Sequence, residues 1–281
     1  MMKYLVIGAT NIDILGRANS LILGDSNLGK IEISLGGVGK NIAMNLHNLG
    51  VEVEFLTQFG TDWLADYVKR DLIKSKLRFD RSFTRGKSNF YLGLFDGYGE
   101  YFTGINDILE FEKLVPKDFL DLDEYIRGFD ALIIDANLSV EMFEWLCKKY
   151  QDKFLFVDGV SPSKVRKIYN GLRYIDVLKI NLDELKALLQ VEFCDIISNV
   201  KTLLDLGVKQ VIVTNGKEDI TYSIERDIFK TEVLRANVVK SVNGAGDSFF
   251  AGVIAKYFET DFHQAIEFGK KQAVKIMESF N

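Results

Sequence analysis

The sequence predicts an α/β fold, a doubly wound and mainly parallel sheet with helices on both faces, joined by a small β-sheet outside that pattern. Three observations carry the prediction. Short apolar runs stop abruptly at polar or glycine residues, amphipathic helical patterns lie between them, and two stretches keep a β-rich character without a helical period.

The runs are Tyr4 to Ile7 before Gly8, Ala131 to Ile134 before Asp135, Phe154 to Val157 before Asp158, Val177 to Ile180 before Asn181, and Val211 to Val213 before Thr214. Each has the length and the largely apolar character of a strand buried on both faces. Helical patterns follow at Val140 to Tyr150, Leu182 to Leu189 and Ile196 to Leu206, the last stopped by Gly207, where a left-handed cap is wanted. In such sheets ligands bind beyond the carboxyl ends of the strands, so Asp135, Asn137, Asp158, Asn181, Thr214 and Gly216 are expected at one crevice. Taken singly, Asp135 or Asp158 also fits a turn or a helix cap.

Residues 12–35 and 88–103 break the rhythm. Ile31-Glu-Ile-Ser34 and Phe90-Tyr-Leu-Gly-Leu-Phe95 are β-branched and aromatic with glycines between, and suit a small antiparallel sheet over the ligand edge. That sheet would serve as a lid or a dimer surface, or be a set of ordinary edge strands. With no repeat, low-complexity tract or linker in the sequence, residues 1–281 are expected to form a single domain.

Composition narrows the partners. Lys and Arg number 35 against 40 Asp and Glu, for a net charge of −5, and no basic run with interleaved aromatics occurs. A polymeric nucleic acid is excluded as an expected partner. Cys147 and Cys194 form no C-x-x-C pair and sit in apolar, helix-like surroundings, which reads as reduced core thiols. The N-terminus enters Leu5-Val6-Ile7 directly, without a signal peptide's long apolar region, and no run approaches membrane-spanning length. A cytoplasmic protein is the expectation.

The most informative segment runs from Ser241 to Phe258. Gly244, Ala245 and Gly246 lead into an apolar helix, so their N–H groups face whatever occupies the helix start and form an anion site. Asp247 falls in the first turn, where the helix dipole favours its ionised form. A carboxylate beside an anion hole suits phosphoryl transfer: it takes a hydroxyl proton while the N–H groups stabilise charge on the moving phosphoryl oxygens. Gly-x-Gly-Asp alone also fits a plain capped helix after a tight turn.

A second glycine run, Gly36-Gly-Val-Gly39, precedes an amphipathic helix with Ile42, Leu46 and Leu49 toward the core and Gly50 as its cap. Asn41 and Asn45 share a face near its start, where Asn41 could bond sugar hydroxyls; alone, the segment is a helix entry. Asn11 and Asp13, two apart after the first run, can read vicinal hydroxyls bidentately or simply form a turn.

Three other readings fail. Gly24-Asp-Ser-Asn-Leu-Gly-Lys30 matches the start of a P-loop, but Ile31 stands where Ser or Thr belongs and no helix pattern follows. No Gly-x-Gly-x-x-Gly follows the first strand, which removes the dinucleotide fingerprint. His47 and His263 lack Cys or carboxylate companions at ligand spacing, so neither a transition-metal site nor a Ser/His triad is expected.

With Asn11-x-Asp13, the glycines at 36–39 and Gly-Ala-Gly-Asp at 244–247 in this order, the chain resembles the ribokinase-like (PfkB) carbohydrate and nucleoside kinases over nearly its whole length. The resemblance implies ATP and Mg²⁺, with Asp247 as general base and Gly244, Ala245 and Gly246 as anion hole. It places Asn11, Asp13, Gly36, Gly37 and Asn41 at the sugar. Asn181 and Glu184 match the family's Asn-x-x-Glu, which orders Mg²⁺ water and phosphates without a direct protein ligand predicted here, and Thr214 and Gly216 match its nucleotide-binding Thr-x-Gly. It further implies a β-sheet lid and a homodimer through it.

Within the family, the sequence is most similar to pseudouridine kinases and their sugar-kinase neighbours, through Ser26-Asn-Leu-Gly-Lys30, Gly36-Gly-Val-Gly-Lys-Asn-Ile-Ala43, Ile105-Asn-Asp107 and Ser241-Val-Asn243. It departs where relatives carry Asp-Thr-Thr before the anion hole: here Ser241, Val242 and Asn243 remove the Asp of a monovalent-cation site. Asp219 stands where a Gly is usual, and the chain ends soon after a helix, at Asn281. The leading expectation is transfer of the ATP γ-phosphoryl to the 5′-hydroxyl of pseudouridine. The alternatives are a kinase for a free sugar or sugar phosphate, and a non-catalytic sugar- or nucleoside-binding regulator on the same scaffold.

Overall fold

The structure is a computed structural model that describes residues 2–98, 100–193, 195–240 and 242–279. Cys194 and Ser241 lie outside the described residues. In chain order the elements begin with β1 (Tyr4–Ile7), β2 (Asn11–Ala18), β3 (Gly29–Gly36), α1 (Val38–Asn48), β4 (Val53–Leu56), β5 (Gln58–Phe59) and α2 (Trp63–Lys74). Then come β6 (Phe83–Thr84), β7 (Phe90–Phe95), β8 (Tyr101–Asp107), α3 (Leu109–Glu112), α4 (Asp123–Arg127), β9 (Ala131–Asp135), α5 (Val140–Lys149) and β10 (Phe154–Asp158). The last are β11 (Val177–Asn181), α6 (Leu182–Leu189), α7 (Ile196–Asp205), β12 (Gln210–Thr214), β13 (Ile220–Ile224), β14 (Asp227–Thr231), α8 (Ala245–Lys256) and α9 (Phe262–Glu278).

The main sheet has the order β14-β13-β12-β11-β10-β9-β1-β4. From β12 to β4 every pairing is parallel, and β13 and β14 close one edge as antiparallel strands. Alternate residues of each strand feed two cores. Leu5, Ile7, Leu132, Ile134, Leu155 and Val157 meet α5, α6 and α7 on one face, while Val6, Phe55, Ile133 and Phe156 meet α1, α2, α8 and α9 on the other. This two-sided burial is the physical reason the strands read as near-continuous apolar runs. It also bears out the doubly wound fold class.

A second sheet has the order β3-β2-β7-β8. It occupies the two stretches expected to be β-rich but is mixed rather than antiparallel, because β2 and β7, the strands that join the two stretches, pair in parallel while β3 and β8 pair antiparallel on either side; β8 also continues to Asp107, beyond the expected limit at 103. Pairing with Phe90–Phe95 carries it on, in a register that matches Phe90 to Asp107, and no propensity in the sequence marks that end. The P-loop look-alike at 24–30 falls in the β2–β3 connection and the start of β3, so no helix N-terminus faces it. Leu49, expected in the core, is only half buried at the end of α1, because the chain turns there through Gly50 at φ 79°. Among the described residues, no helix is long and apolar enough to cross a membrane.

The junction of β1, β9 and α1 sets the position of everything functional. Asp135, expected to line the crevice, instead accepts hydrogen bonds from the backbone N–H groups of Ala9 (2.8 Å) and Gly39 (3.0 Å) through Oδ2 and of Asn137 (3.0 Å) through Oδ1. It is a buried joint, with its carboxyl pushed up to about 6 by that burial. The start of α1 approaches β1 so closely that a Cβ on Gly39 would lie 2.6 Å from Cα of Gly8. Both partners are backbone and cannot yield. Gly39→Ala is therefore expected to cost about 1–3 kcal/mol of stability, or more, by overpacking. Urea titration is the check, and an unchanged midpoint would contradict this close approach.

Candidate active site

Helix α8 begins at Ala245, with Gly244 as its N-cap in a left-handed conformation, φ 74°. The first intrahelical bond runs from Ser248 N–H to Gly244 carbonyl at 2.9 Å. The amides of Gly246 and Asp247 thus fall among the helix N–H groups with no intrahelical acceptor. Ala245 differs from expectation, because its N–H turns back to the Val242 carbonyl at 3.3 Å. The anion-binding edge is set by 246 and 247 more than by 245, and the loop is half exposed rather than packed away.

Asp247 lies at the floor of this edge, 9% exposed, and its Oδ2 accepts a hydrogen bond of 2.8 Å from Asn41 Nδ2. Asn41 was expected to face sugar hydroxyls directly; half of its amide is instead committed to orienting the carboxylate. Burial, and next the negative charge of Asp158, push the Asp247 carboxyl up to about 6, against the opposing pull of Lys179 and Asn41. It is still largely ionised at neutral pH, with a basicity suited to a hydroxyl proton.

On the other side of α1, the glycine pair 36–37 packs against the first strand of the small sheet. A Cβ at Gly36 would fall 2.2 Å from Asp13 Oδ2, and one at Gly37, whose φ is 102°, would fall 2.9 Å from Asn11 Oδ1. Only glycine leaves room for these two polar side chains. Asn11 Nδ2 donates to Asp13 Oδ1, so the pair shares one face of β2 as its spacing predicted. Burial pushes the Asp13 carboxyl up to about 6, with Lys40 and Asn11 opposing the rise.

A third group comes from β10, β11 and α6. Asn181 and Glu184 cap α6 reciprocally: Asn181 Oδ1 accepts from Glu184 N–H (2.8 Å), and the Glu184 carboxylate accepts from Asn181 N–H (2.9 Å) and Nδ2 (2.7 Å). Glu184 is buried, which pushes its carboxyl up to about 7. Thr214 ends β12 directly opposite Asn181, and Gly216 follows in an exposed turn at φ 58° with open space where a Cβ would be.

Lys179 joins this group to the anion loop, and sequence reasoning did not single it out. Its Nζ donates to Asp158 Oδ2 at 2.9 Å and would lie 3.2 Å from a Cβ on Gly246. Burial alone would lower its pKa, but the carboxylates of Asp158, Glu184 and Asp247 outweigh that and hold it charged. The signal was present as a lysine inside the apolar run Val177 to Ile180, a position that tolerates charge only with partners. One ammonium faces three carboxyl groups, and this surplus of negative charge is what a divalent cation brought with phosphates would offset. Among the described residues, no cluster of three or more His, Cys, Asp or Glu is placed to hold a metal directly. The donor set fits Mg²⁺ held through water and phosphate oxygens, with Asn181 and Glu184 at hand to order that water.

The structure thus brings together Asn11, Asp13, Gly36, Gly37, Asn41, Asp247 and the 244–246 loop by direct contact, and Asn181, Glu184 and Thr214 through Lys179 and the sheet. A separate hollow of about 200 Å³ lies at the opposite edge, lined by Lys3, Glu52, Glu54, Arg78 and Tyr125, where Glu54 is already bonded to Arg78 (2.8 Å) and Tyr125 (2.6 Å).

Known proteins are similar to this chain in sequence and in fold. The pfkB family of carbohydrate kinases matches residues 1–281. Pseudouridine kinase of Escherichia coli is 29% identical over 273 residues, covering 94% of this chain and 87% of that one. Guanosine-inosine kinase of Exiguobacterium acetylicum is 28% identical over 291 residues, covering 99% and 95%. A carbohydrate kinase from Agrobacterium tumefaciens superposes with a TM-score of 0.85 at 26% identity, covering 100% and 92%. The chain belongs to the pfkB family of carbohydrate kinases, phosphotransferases that act on a hydroxyl of a sugar or nucleoside.

Proposed function

We propose that this kinase transfers the γ-phosphoryl group of ATP to the 5′-hydroxyl of a nucleoside, with pseudouridine as the leading acceptor. The observation that carries the reading is the Asn41–Asp247 hydrogen bond, which fixes a raised-pKa carboxylate beside the amides of Gly246 and Asp247, which have no intrahelical acceptor. Asp247 accepts the hydroxyl proton as the oxygen attacks phosphorus. The amides of Gly246 and Asp247, backed by the α8 dipole and the Lys179 ammonium, stabilise charge on the moving phosphoryl oxygens. Asn11 and Asp13 accept and donate hydrogen bonds to the ribose diol, with Gly36 and Gly37 letting it approach the backbone. Asn181 and Glu184 would hold Mg²⁺ through water, the ion supplying positive charge against the phosphates, while Thr214 and Gly216 would meet the nucleotide. Similarity to a pseudouridine kinase and a guanosine-inosine kinase supports a nucleoside over a free sugar.

Asp247→Asn removes the base while keeping the shape of the side chain. The expected outcome is a fall in kcat of about 10²–10⁴-fold with the affinities for ATP and acceptor nearly intact. ADP release across a panel of nucleosides and sugars reads it. Ordinary turnover by the variant would defeat the assignment, phosphorylation of sugars alone would move the acceptor to the free-sugar class, and binding without turnover by the wild type would make the chain a regulator.

The small sheet is read as a lid over the acceptor and as the contact of a homodimer. Ile33, Ile14, Leu92 and Ile105 lie opposite one another across β3, β2, β7 and β8, and form an apolar row on one face. Ile33 is 59% exposed and Ile105 66%, an unusual display for a chain without a partner. Sedimentation of the wild type is expected to give a dimer, and Ile33→Lys a monomer. A wild type that sediments as a monomer would refute this contact.

A further inference from the structure

The opposite face of the small sheet carries a different row, and it explains how an acceptor with a base could be told from one without. Ser34, Asp13, Tyr91 and Asn106 lie opposite one another across β3, β2, β7 and β8, one residue along from the apolar row and therefore pointing the other way. Asp13 is the carboxylate assigned to the ribose diol. The residues beyond it on the same face have no role in phosphoryl transfer.

Their chemistry changes in order along the row. Next to Asp13 comes an aromatic and apolar floor: a Cβ on Gly93 would meet Phe95 Cε2 at 3.1 Å, Tyr91 Cε1 at 3.2 Å and Leu15 Cδ2 at 3.3 Å, so these three side chains converge over that glycine. Phe95 is in turn covered by the Arg17 guanidinium, 5.4 Å from the ring centroid. On β8 the row ends at Asn106, which is exposed and whose side chain offers both donors and an acceptor. Two strand spacings separate Asp13 from Asn106, about 10 Å in all at about 4.8 Å each. A free pentose held at Asp13 ends short of that second spacing, whereas a nucleoside extends its base across it.

We propose that Tyr91, with Leu15 and Phe95, forms the surface on which a planar nucleobase lies, and that Asn106 reads an edge of that base carrying both a carbonyl and an N–H. The acceptor class is thereby a nucleoside with a uracil-like edge. Stacking supplies sequence-tolerant affinity and the carboxamide supplies discrimination, since a polar group built to pair with a base is left unpaired by a ligand that lacks one. The inference rests on the kinase reading only for where the ribose sits, and binding tests it without turnover.

Calorimetric titration of the full chain with pseudouridine and with D-ribose, for the wild type, Asn106→Ala and Tyr91→Leu, separates the possibilities. The wild type is expected to bind pseudouridine at least about tenfold more tightly than ribose, and Asn106→Ala to remove about tenfold of pseudouridine affinity while ribose affinity moves less than about twofold. Tyr91→Leu keeps an apolar floor but loses the ring, and should likewise weaken pseudouridine alone. Because Asn106 is exposed on an edge strand, its truncation leaves folding undisturbed. Equal wild-type affinities for the two ligands, or an equal loss for both in the variants, would overturn the proposal. If the preference for pseudouridine holds but no ADP is released, the base-reading surface stands and the kinase reading falls.

Discussion

A single hydrogen bond, from Asn41 on α1 to Asp247 on α8, closes the site, and the two residues stand 206 positions apart. It exists because a parallel sheet sends every strand's carboxyl end to the same edge, where helices begin on their way back. Two glycine runs let the starts of α1 and α8 come close enough to touch. The first brings α1 against β1 through Gly8 and Gly39; the second turns the chain through Gly244 into α8. Asp135 locks the first of these junctions from below with three backbone N–H groups. A displaced α1 would take with it the glycines that admit Asn11 and Asp13, and the amide that orients Asp247.

Charge is the second constraint. Asp158, Glu184 and Asp247 surround the one ammonium of Lys179, and two of the three have their carboxyls pushed upward by burial. Left alone, that excess of acid works against the ionised forms. A dication arriving with phosphates would supply positive charge to offset these carboxylates, and on the proposed reading the amides of α8 and Lys179 would face the phosphoryl oxygens. The site is thus arranged for an occupant carrying charges of both signs. The small sheet has two faces of opposite character, one apolar and the other graded from carboxylate to aromatic to amide.

Much of this was legible in the chain itself. The buried strands announced themselves as apolar runs because both faces of the main sheet are covered, and Gly-Ala-Gly-Asp and Asn-x-Asp carried their chemistry in local spacing. What stayed hidden depends on non-local contact. Asp135 looked like a crevice residue because its partners, Ala9 and Gly39, lie about a hundred residues or more away. The dipole of α8 was visible in sequence, whereas the burial that raises the Asp247 carboxyl was not. Lys179 showed only as an odd lysine in an apolar run, and its role needed the position of Gly246. Tyr91 and Asn106 could not be aligned with Asp13 until the register across three strands was known.

The most direct test of the whole account is a crystal structure of the chain with pseudouridine, ADP and an aluminium fluoride mimic of the transferring phosphoryl group. The account predicts the 5′-oxygen within about 3 Å of an Asp247 carboxylate oxygen, the reach a general base requires, with the amides of Gly246 and Asp247 turned toward the fluoride ligands. A complex in which the hydroxyl points to another side chain, or in which the 244–246 loop makes no contact with the mimic, would contradict it.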